Sequence, residues 1–321
     1  DAAINAGNSG GPVFDVEGKC VGVAFASMNV NHGQNICYII PVEVLNQFLS
    51  QCYNRETKQY IQFPGKSCIG VEYQKLENTD LRSALGLVDS GFGIRVKRVI
   101  PFTAATGKIF EDDVILSIDG EKIGSDGTVK FRENERIPWR YLYRRRNVGE
   151  TCKVEILRNK TITFVDIKLS NIISKCPSDG AFNFNLENWI ILGGAVFLPM
   201  SNNLLRSYKH TPRVLKPEEM DFEEDLDEQF VLLSHILAHD INFGYQSYRN
   251  ALVKLVNGKK PKNLRHFAEI ISDSNATTFD ILLEHGQRVL LQRDSCENAK
   301  EELIQMHGLK DLIKISQPFK I

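Results

Sequence analysis

The sequence predicts a mainly β protein with α+β modules. In several short segments, of which 21–26 and 94–97 are examples, apolar residues alternate with small or polar ones, and this period of two is typical of strands. Polar turns such as Asp119-Gly120 follow strand-like segments, and an Asp-Gly pair is favoured in two-residue hairpins. The chain of 321 residues has room for two or three domains.

Residues 1 to about 55 are predicted to be the end of a β-barrel domain. Segment 21–26 is a strand, and 36–40 supplies its partner after a polar loop. Pro41 opens a helix, because proline suits the start of a helix. The apolar residues of this helix share one stripe: Val44, Leu45, Phe48, Leu49 and Cys52. About fifty residues cannot close two barrels, so we expect unpaired strand edges here.

Residues 67–170 are predicted to form a second unit of five or six short strands and two helices. A strand begins near Gly70, and Asn78 or Thr79 caps a short helix that runs through Leu85. The remaining expected elements are a strand over 113–118 with its Asp-Gly turn, a helix over 137–146, and two strands over 151–158 and 162–169.

Turn-forming residues are concentrated in 171–186, which predicts a linker. A third unit then repeats the element order of the second, with Asn257-Gly258 in the place of Asp119-Gly120. Segment 190–197 opens it, and its expected elements are paired strands over 230–242, a strand over 251–257, a helix with Leu264, Phe267, Ala268 and Ile271 on one face, and a hairpin turning at His285-Gly286. An amphipathic helix from Ser295 forms a tail.

The composition is that of an ordinary soluble globular protein. It is 42% hydrophobic and 25% charged with a net charge of −1, which favours neither nucleic acid nor an anionic membrane as a partner. No apolar run reaches the ~18 residues of a membrane span. Seven cysteines without a C-x-x-C pair indicate reduced thiols rather than a disulfide frame or a zinc site. We therefore expect a reducing compartment, although the compartment itself is unknown, and no metal or cofactor.

Ser9 stands in the glycine-rich string Gly-Asn-Ser-Gly-Gly-Pro. Glycines on both sides leave little bulk around its hydroxyl, so that a carbonyl group can approach Oγ and backbone N–H groups can converge on one point. A bare G-x-S-x-G also fits an ordinary turn between strands, but the longer string is more specific. A phosphate-binding loop fits poorly, because such loops carry Lys-Ser/Thr and lead into a helix.

The stretch 1–12 resembles the nucleophile loop of trypsin-fold serine proteases of the DegP/HtrA family, and 19–25 and 35–41 resemble the strands that follow it. The resemblance is to the plant and protozoan Deg branch, covers nearly the whole chain and weakens beyond about 200. It implies a partial trypsin-like β-barrel followed by two PDZ-like domains. The implied boundaries are 1–60 for the incomplete protease domain, 65–170 for the first PDZ domain, 171–187 for a linker, 188–296 for the second PDZ-like domain and 297–321 for a helical tail.

By this resemblance, Ser9 is the nucleophile, and the backbone N–H groups of Gly7 and Ser9 form the oxyanion hole. A serine hydroxyl needs a base to take its proton. In the family the catalytic His and Asp precede the serine, so we expect them upstream of this chain, which then reads as an inactive C-terminal fragment. His32 lies in a polar loop and is expected to be exposed rather than catalytic.

The family also implies peptide binding through a short loop that donates N–H groups to a C-terminal carboxylate. In the first PDZ domain this loop is Cys68-Ile69-Gly70-Val71, and Leu142 lines the side-chain pocket with Ile69 and Val71. In the second, the matching loop is Leu192-Gly193-Gly194-Ala195, which could instead hold a neighbouring segment. An ordinary buried strand start is the alternative for both.

Other charged groups have simpler interpretations. His235 and His239 are four residues apart, but on a strand that spacing separates the rings too far for one metal. The acidic stretch 218–228 reads as a solvated insertion, with peptide docking as the alternative. The arginines at 140 and 144–146 complement a helix C-terminus.

The expected function is that of an ATP-independent Deg-type serine endopeptidase in protein quality control, for which this chain supplies the C-terminal part. Unfolded or damaged proteins and C-terminal peptides would be its partners, in a homo-oligomer. The alternative is a PDZ scaffold that binds peptides or assembles subunits without catalysis.

Overall fold

A computed structural model describes residues 7–29, 35–54, 56–61, 63–87, 91–171, 175, 188–201, 204, 226–273 and 275–315. The chain divides into two compact units, 1–172 and 173–321. Across the described ranges, no helix is both long enough and apolar enough to cross a lipid bilayer.

The first unit begins with a small antiparallel sheet in the order β1-β2-β3. The predicted strand pair and the helix after Pro41 are both confirmed. Gly22 is required where β2 pairs with β3, because a Cβ there would lie 2.5 Å from the backbone oxygen of Ile40. The elements are β1 (Pro12–Phe14), β2 (Cys20–Asn29), β3 (Asn35–Pro41), α1 (Val42–Cys52), β4 (Tyr53–Asn54) and β5 (Gln59–Tyr60).

This small sheet leaves much of its apolar surface uncovered. β1 and β3 each have one neighbour within the described sheet, so the expected open strand edges are present. No residue of α1 is fully buried. The exposed large apolar side chains here are Phe14, Val16, Phe25, Tyr38, Ile39, Ile40, Val44, Leu49, Tyr60 and Ile61.

A larger sheet in the same unit has the strand order β13-β12-β8-β7-β6, and β9 pairs with β8. The helix predicted near Asn78 is confirmed, with the Asn78 side chain accepting a hydrogen bond from the Leu81 N–H. The elements are β6 (Val71–Lys75), α2 (Thr79–Ala84), β7 (Ile94–Val99), β8 (Val114–Ile118), β9 (Glu121–Lys122), β10 (Thr128–Arg132), β11 (Glu135–Pro138), α3 (Tyr141–Arg144), β12 (Thr151–Arg158) and β13 (Thr161–Lys168).

The helix predicted over 137–146 is wrong in its first half. Ile137 pairs with Val129 in the β10-β11 hairpin, and only Tyr141–Arg144 is helical. The residue before a proline is steered toward extended backbone, and Pro138 imposes this on Ile137. The helix therefore starts only after Trp139, whose buried ring packs edge-on against Tyr143.

The second unit is built on one antiparallel sheet in the order β19-β18-β17-β16-β15-β14-β20. Helix α4 covers it, and Phe267 stacks on Phe197 with ring centroids 4.6 Å apart. The elements are β14 (Trp189–Leu192), β15 (Ala195–Pro199), β16 (Val231–Ile236), β17 (Ala251–Val256), α4 (Leu264–Asp273), β18 (Thr278–Leu283), β19 (Arg288–Gln292), α5 (Arg293–Asn298), α6 (Lys300–His307) and β20 (Ile313–Lys314).

The prediction of paired strands over 230–242 is also wrong. The strand ends at Ile236, and a 3-10 turn, Asp240–Asn242, follows. His239 caps this turn, since its Nδ1 accepts the Ile241 N–H at 3.3 Å, and Asn242 bonds back to the His239 N–H. This local capping competes with extension of the strand.

The two predicted glycine turns are confirmed and match each other. Asp119 and Gly120 have φ values of 50° and 83°, and Asn257 and Gly258 have 48° and 77°. Two successive residues with positive φ define the tight turn that suits antiparallel strands. Each turn follows the third strand in the order given for its sheet, β8 in the first unit and β17 in the second.

Candidate functional site

Ser9 lies on an exposed loop that is held against β2 by two backbone hydrogen bonds. The Gly10 N–H donates to the oxygen of Ala24 at 2.8 Å, and the Ala24 N–H donates back to Gly11 at 2.9 Å. Gly7 and Gly10 have φ values of 103° and 90°, so the bends on either side of the serine use backbone that favours glycine. The loop presents the Ser9 side chain to solvent.

The Ser9 hydroxyl donates a hydrogen bond to the backbone oxygen of Phe25 at 3.2 Å. Neither the Gly7 nor the Ser9 N–H donates to another residue within the described ranges. His32, the one histidine of residues 1–172, lies outside the described residues. The loop therefore offers an exposed hydroxyl and two N–H donors that are unused within the described residues, and the described residues of the first unit include no histidine.

The segment Cys68 to Val71 leads into β6, which is an edge strand of its sheet. The Ile100 N–H donates to the oxygen of Gly70 at 2.9 Å, so the facing pair Val71 and Val99 is of the non-hydrogen-bonded type. The N–H and C=O of Val71 consequently point away from β7. They face the side of the sheet where an added strand would pair.

Glycine is required at position 70. Its φ is 92°, and a Cβ would lie 2.0 Å from Thr103 Oγ1 and 2.3 Å from Thr103 Cβ. The Gly70 N–H points at Cys68 Sγ, 3.2 Å away. These contacts fix the loop in a left-handed bend that leads directly to the outward-facing N–H of Val71.

Two arginines make the surroundings of this loop positive. Burial raises the pKa of the Cys68 thiol, while the charges of Arg144 and Arg140 act in the opposite direction. Both arginines are exposed, and the guanidinium of Arg140 lies 5.7 Å from the centre of the Tyr73 ring. An incoming carboxylate would therefore meet favourable charge beside the loop.

The predicted side-chain pocket is closed. Ile69 is 0% exposed and Leu142 is 1% exposed, and both belong to the main core of the sheet together with Val71. Between β6 and α3 the rings of Tyr73 and Trp139 meet edge-on at 5.5 Å. A bound side chain would have to displace part of this packing.

Sequence reasoning missed Tyr73, Trp139 and Arg140 as neighbours of the loop. The string Pro138-Trp139-Arg140 was absorbed into a predicted helix, which hid the role of the tryptophan. The signal available in the sequence was Pro138, which disfavours a helix at the residue before it and so argues against a helix that begins at Ile137.

Known proteins match this chain over nearly its whole length. The chain is 34% identical over 314 residues to Protease Do-like 2, chloroplastic, of Arabidopsis thaliana, covering 96% of this chain and 50% of that protein. It is 31% identical to the Putative protease Do-like 3, mitochondrial, of the same organism, covering 95% and 52%. The Serine protease DegP homolog of Plasmodium falciparum is 25% identical, covering 94% and 45%.

The chain is homologous to Deg/HtrA serine proteases over nearly its whole length. It spans about half the length of the curated relatives it matches. The family described as PDZ domain matches residues 183–312. A solved HtrA-type protease, AlgW with a decapeptide, shares 30% identity over 53% of this chain and 47% of its own, with a TM-score of 0.36.

In the region that matches the PDZ family model, the predicted carboxylate loop is a buried hairpin turn. Gly193 and Gly194 connect β14 to β15, with φ values of 53° and 86°. The space beside Gly194 is occupied, because Asn242 Nδ2 lies 2.4 Å and the oxygen of Leu237 lies 2.5 Å from where a Cβ would stand. The Asn242 side chain also donates to the oxygen of Gly193 at 2.8 Å.

The strand after this turn has no open edge. β15 pairs with β14 on one side and with β16 on the other, so a peptide cannot add to it. This pairing favours the alternative that the sequence analysis left open for Leu192, Gly193, Gly194 and Ala195, an ordinary buried strand start, over a peptide-capture loop. The signal available in the sequence was the Gly193-Gly194 pair itself, because Gly-Gly between two apolar segments is typical of a two-residue hairpin turn.

His235 and His239 do not form a shared site. His235 is exposed on β16, whereas the imidazole of His239 is buried as the cap of the 3-10 turn. The acidic stretch 218–228 lies mostly outside the described residues.

Proposed function

We propose that this chain supplies the nucleophile loop and the PDZ modules of an ATP-independent Deg-type serine endopeptidase that acts in protein quality control. One observation carries the proposal: an exposed Ser9 hydroxyl stands beside two backbone N–H groups, of Gly7 and Ser9, that are unused within the described residues. Homology to Deg/HtrA proteases over 96% of the chain supports the same activity.

In the proposed reaction, Ser9 Oγ attacks the carbonyl carbon of a peptide bond, and its proton passes to a histidine supplied by another part of the protease. The oxyanion that forms would accept hydrogen bonds from the Gly7 and Ser9 N–H groups. The bond from Ser9 to the oxygen of Phe25 must break first. Without the base, the hydroxyl is a weak nucleophile, so we propose that residues 1–321 alone are inactive.

The exposed apolar side chains of the small sheet β1-β2-β3 support the proposal that another part of the protease packs against it. Phe14 and Phe25 are 58% and 61% exposed, which is unusual for large aromatic side chains in one small sheet. A second barrel and the remaining strands of this one would bury them and would place a histidine beside Ser9.

For the first PDZ-like region we propose capture of C-terminal peptides by the Val71 edge. The open N–H and C=O of Val71 would pair with the peptide backbone, and Arg140 and Arg144 would favour its carboxylate. The predicted boundaries 65–170 and 188–296 remain proposals, as do a homo-oligomer, a reducing compartment, and unfolded or damaged proteins as substrates.

Degradation of reduced, unfolded casein by the full-length gene product tests the proposal. We expect cleavage without ATP, a loss of at least about 10³-fold in Ser9→Ala, and unchanged rates in Ser50→Ala, an exposed serine on α1. Equal cleavage by Ser9→Ala and the parent protein would reject Ser9 as the nucleophile.

A second candidate is a peptide-binding or assembly scaffold without catalysis. The hydrogen bond from the Ser9 hydroxyl to the backbone oxygen of Phe25 favours the scaffold, because a backbone carbonyl cannot act as the base that activates a serine. This candidate predicts that the full-length protein binds peptides and that neither the parent protein nor Ser9→Ala cleaves casein.

A further inference from the structure

The second unit contains a cavity that no part of the proposed protease mechanism uses. It lies between the loop after β16 and helix α6, and its volume is about 360 Å³. The lining residues are Ala238, His239, Asp240, Phe243, Gln246, Glu302 and Met306.

His239 presents an unsatisfied donor at this cavity. Its Nδ1 accepts the Ile241 N–H, so the neutral ring must carry its proton on Nε2. The side chain is 7% exposed, and Nε2 is buried without a hydrogen bond. Glu302 Oε2 is 3.4 Å from Nε2, but the approach is not aligned as a hydrogen bond. A buried N–H in this state favours a ligand that brings an acceptor oxygen.

The remaining walls combine negative charge with exposed apolar surface. Asp240 and Glu302 contribute two carboxylates, and the ring of Phe243 is 85% exposed. Met306, 57% exposed, adds a flexible thioether. An aromatic ring beside carboxylates attracts an organic cation on an aliphatic stem. Within the described residues, no three acidic, histidine or cysteine side chains are grouped to hold a metal ion.

We propose that this cavity binds the side chain of a lysine or arginine in an extended peptide. The cation would lie over the Phe243 ring between Asp240 and Glu302, and a backbone oxygen of the peptide would accept the His239 Nε2–H. The site uses none of the residues of the Ser9 loop or the Val71 edge. Its existence therefore does not depend on the proposed protease function.

The test is a fluorescence anisotropy titration of the whole chain with a fluorescein-labelled Gly-Ala-Lys-Ala-Gly amide. Two matched probes replace the central lysine with acetyl-lysine or norleucine. We expect the lysine probe to bind about fivefold more tightly than either, because only it carries the cation. The side-chain NMR signals of His239 should shift on binding, and those of His285, which lies in the β18-β19 turn and does not line the cavity, should not.

Matched variants locate the site. Glu302→Gln and Asp240→Asn should each weaken binding of the lysine probe about two- to fivefold, and Phe243→Leu should have a similar effect. Glu301→Gln removes the same charge from the neighbouring residue of α6, which does not line the cavity, and should leave binding unchanged. Circular dichroism checks that each variant is folded.

Equal binding of the three probes would overturn the proposal, as would failure of the folded parent chain to bind the lysine probe. Equal losses in Glu301→Gln and Glu302→Gln would also overturn it, because they would indicate general attraction to an acidic surface.

Discussion

The larger sheet of the first unit and the sheet of the second unit share one strand order and differ at one edge. The series β13-β12-β8-β7-β6 corresponds to β19-β18-β17-β16-β15, with matching glycine turns after β8 and β17. In the first unit the series stops at β6. In the second it continues through β14 and β20, so the strand equivalent to β6 is covered.

The difference shows that a glycine-containing loop does not by itself make a peptide site. Gly70 and Gly194 both have positive φ and both precede the equivalent strand of their sheets. Only the loop at Gly70 leads to a strand whose outer N–H and C=O are open. The strand neighbour, rather than the loop, decides whether another chain can pair there.

The largest expected effects are on stability, where the two loops should behave alike. Gly70→Ala and Gly194→Ala should each lower the free energy of unfolding by about 3 kcal/mol, because the new Cβ meets Thr103 or Asn242 in a left-handed backbone. Urea unfolding measures this through tryptophan fluorescence. A Trp189→Phe background lets Trp139 report the first unit, and Trp139→Phe lets Trp189 report the second.

Gly107→Ala is the matched control, since its φ is 73° and nothing lies within 4 Å of the new Cβ. It should cost about 1 kcal/mol. Adding Thr103→Gly to Gly70→Ala should recover about 2 kcal/mol in a double-mutant cycle. Additive effects would contradict the clash with Thr103. A bulky change at Gly70 is thus a poor probe of peptide binding, because loss of folding would imitate loss of binding.

We expect the first unit, and not the second, to bind a peptide by strand addition. A peptide with a free C-terminal carboxylate should bind the chain at least about tenfold more tightly than its amide, since the amide carries no charge for the arginines. Calorimetry measures both affinities. Replacing the N–H of the peptide residue that pairs with Val71 by N-methyl should abolish binding, and tight binding of that peptide would contradict strand addition.

Substitution of the neighbouring charges should have a smaller effect. The double variant Arg140→Gln/Arg144→Gln should weaken binding of the carboxylate peptide about fivefold, because exposed charges contribute modestly. Arg145→Gln is the control, since Arg145 is engaged with Glu121. A fivefold loss in the control as well would assign the effect to general surface charge.

The smallest expected effect concerns what holds the open strand in place. Glu72 on β6 accepts a hydrogen bond from Arg98 on β7 at 2.6 Å, and this bond holds the pKa of the Glu72 carboxyl below its ordinary value of 4.5. Because the pKa is lower in the folded state, ionised Glu72 stabilises the folded protein above pH 4.5. This stabilisation is lost as the pH falls through the folded-state pKa.

Glu72→Gln should therefore reduce the free energy of unfolding by about 0.5 kcal/mol at pH 7, and the difference should shrink as the pH drops below 4.5. Glu133→Gln, an exposed residue of the β10-β11 hairpin, should show no such trend. A difference for Glu72→Gln that is constant with pH would contradict the ion pair.

Local patterns were enough to predict most elements, and the exceptions have physical causes. Alternating residues, the Asn78 cap and the two glycine turns act through near neighbours, so they could be recognised in the sequence. The 3-10 turn capped by His239 was missed because the His239 side chain, rather than a neighbouring strand, accepts the Ile241 N–H.

The candidate sites divide in the same way. The Ser9 loop and the Gly70 bend were visible as strings of residues, but the closure of the pocket by Tyr73 and Trp139 joins parts of the chain 66 positions apart (139 − 73). By contrast, β14 and β15 turn at Gly193-Gly194, a pair typical of a two-residue hairpin, whereas the pairing of β14 with β20 joins distant parts of the chain and is not encoded in the glycine pattern.

The most direct test of the central assignment is labelling of the full-length gene product with a fluorophosphonate probe, followed by mass spectrometry of the tryptic peptide that contains Ser9. The account predicts one adduct on Ser9 Oγ, none in Ser9→Ala, and none when residues 1–321 are treated alone. A folded full-length protein that carries no adduct at Ser9 would contradict it.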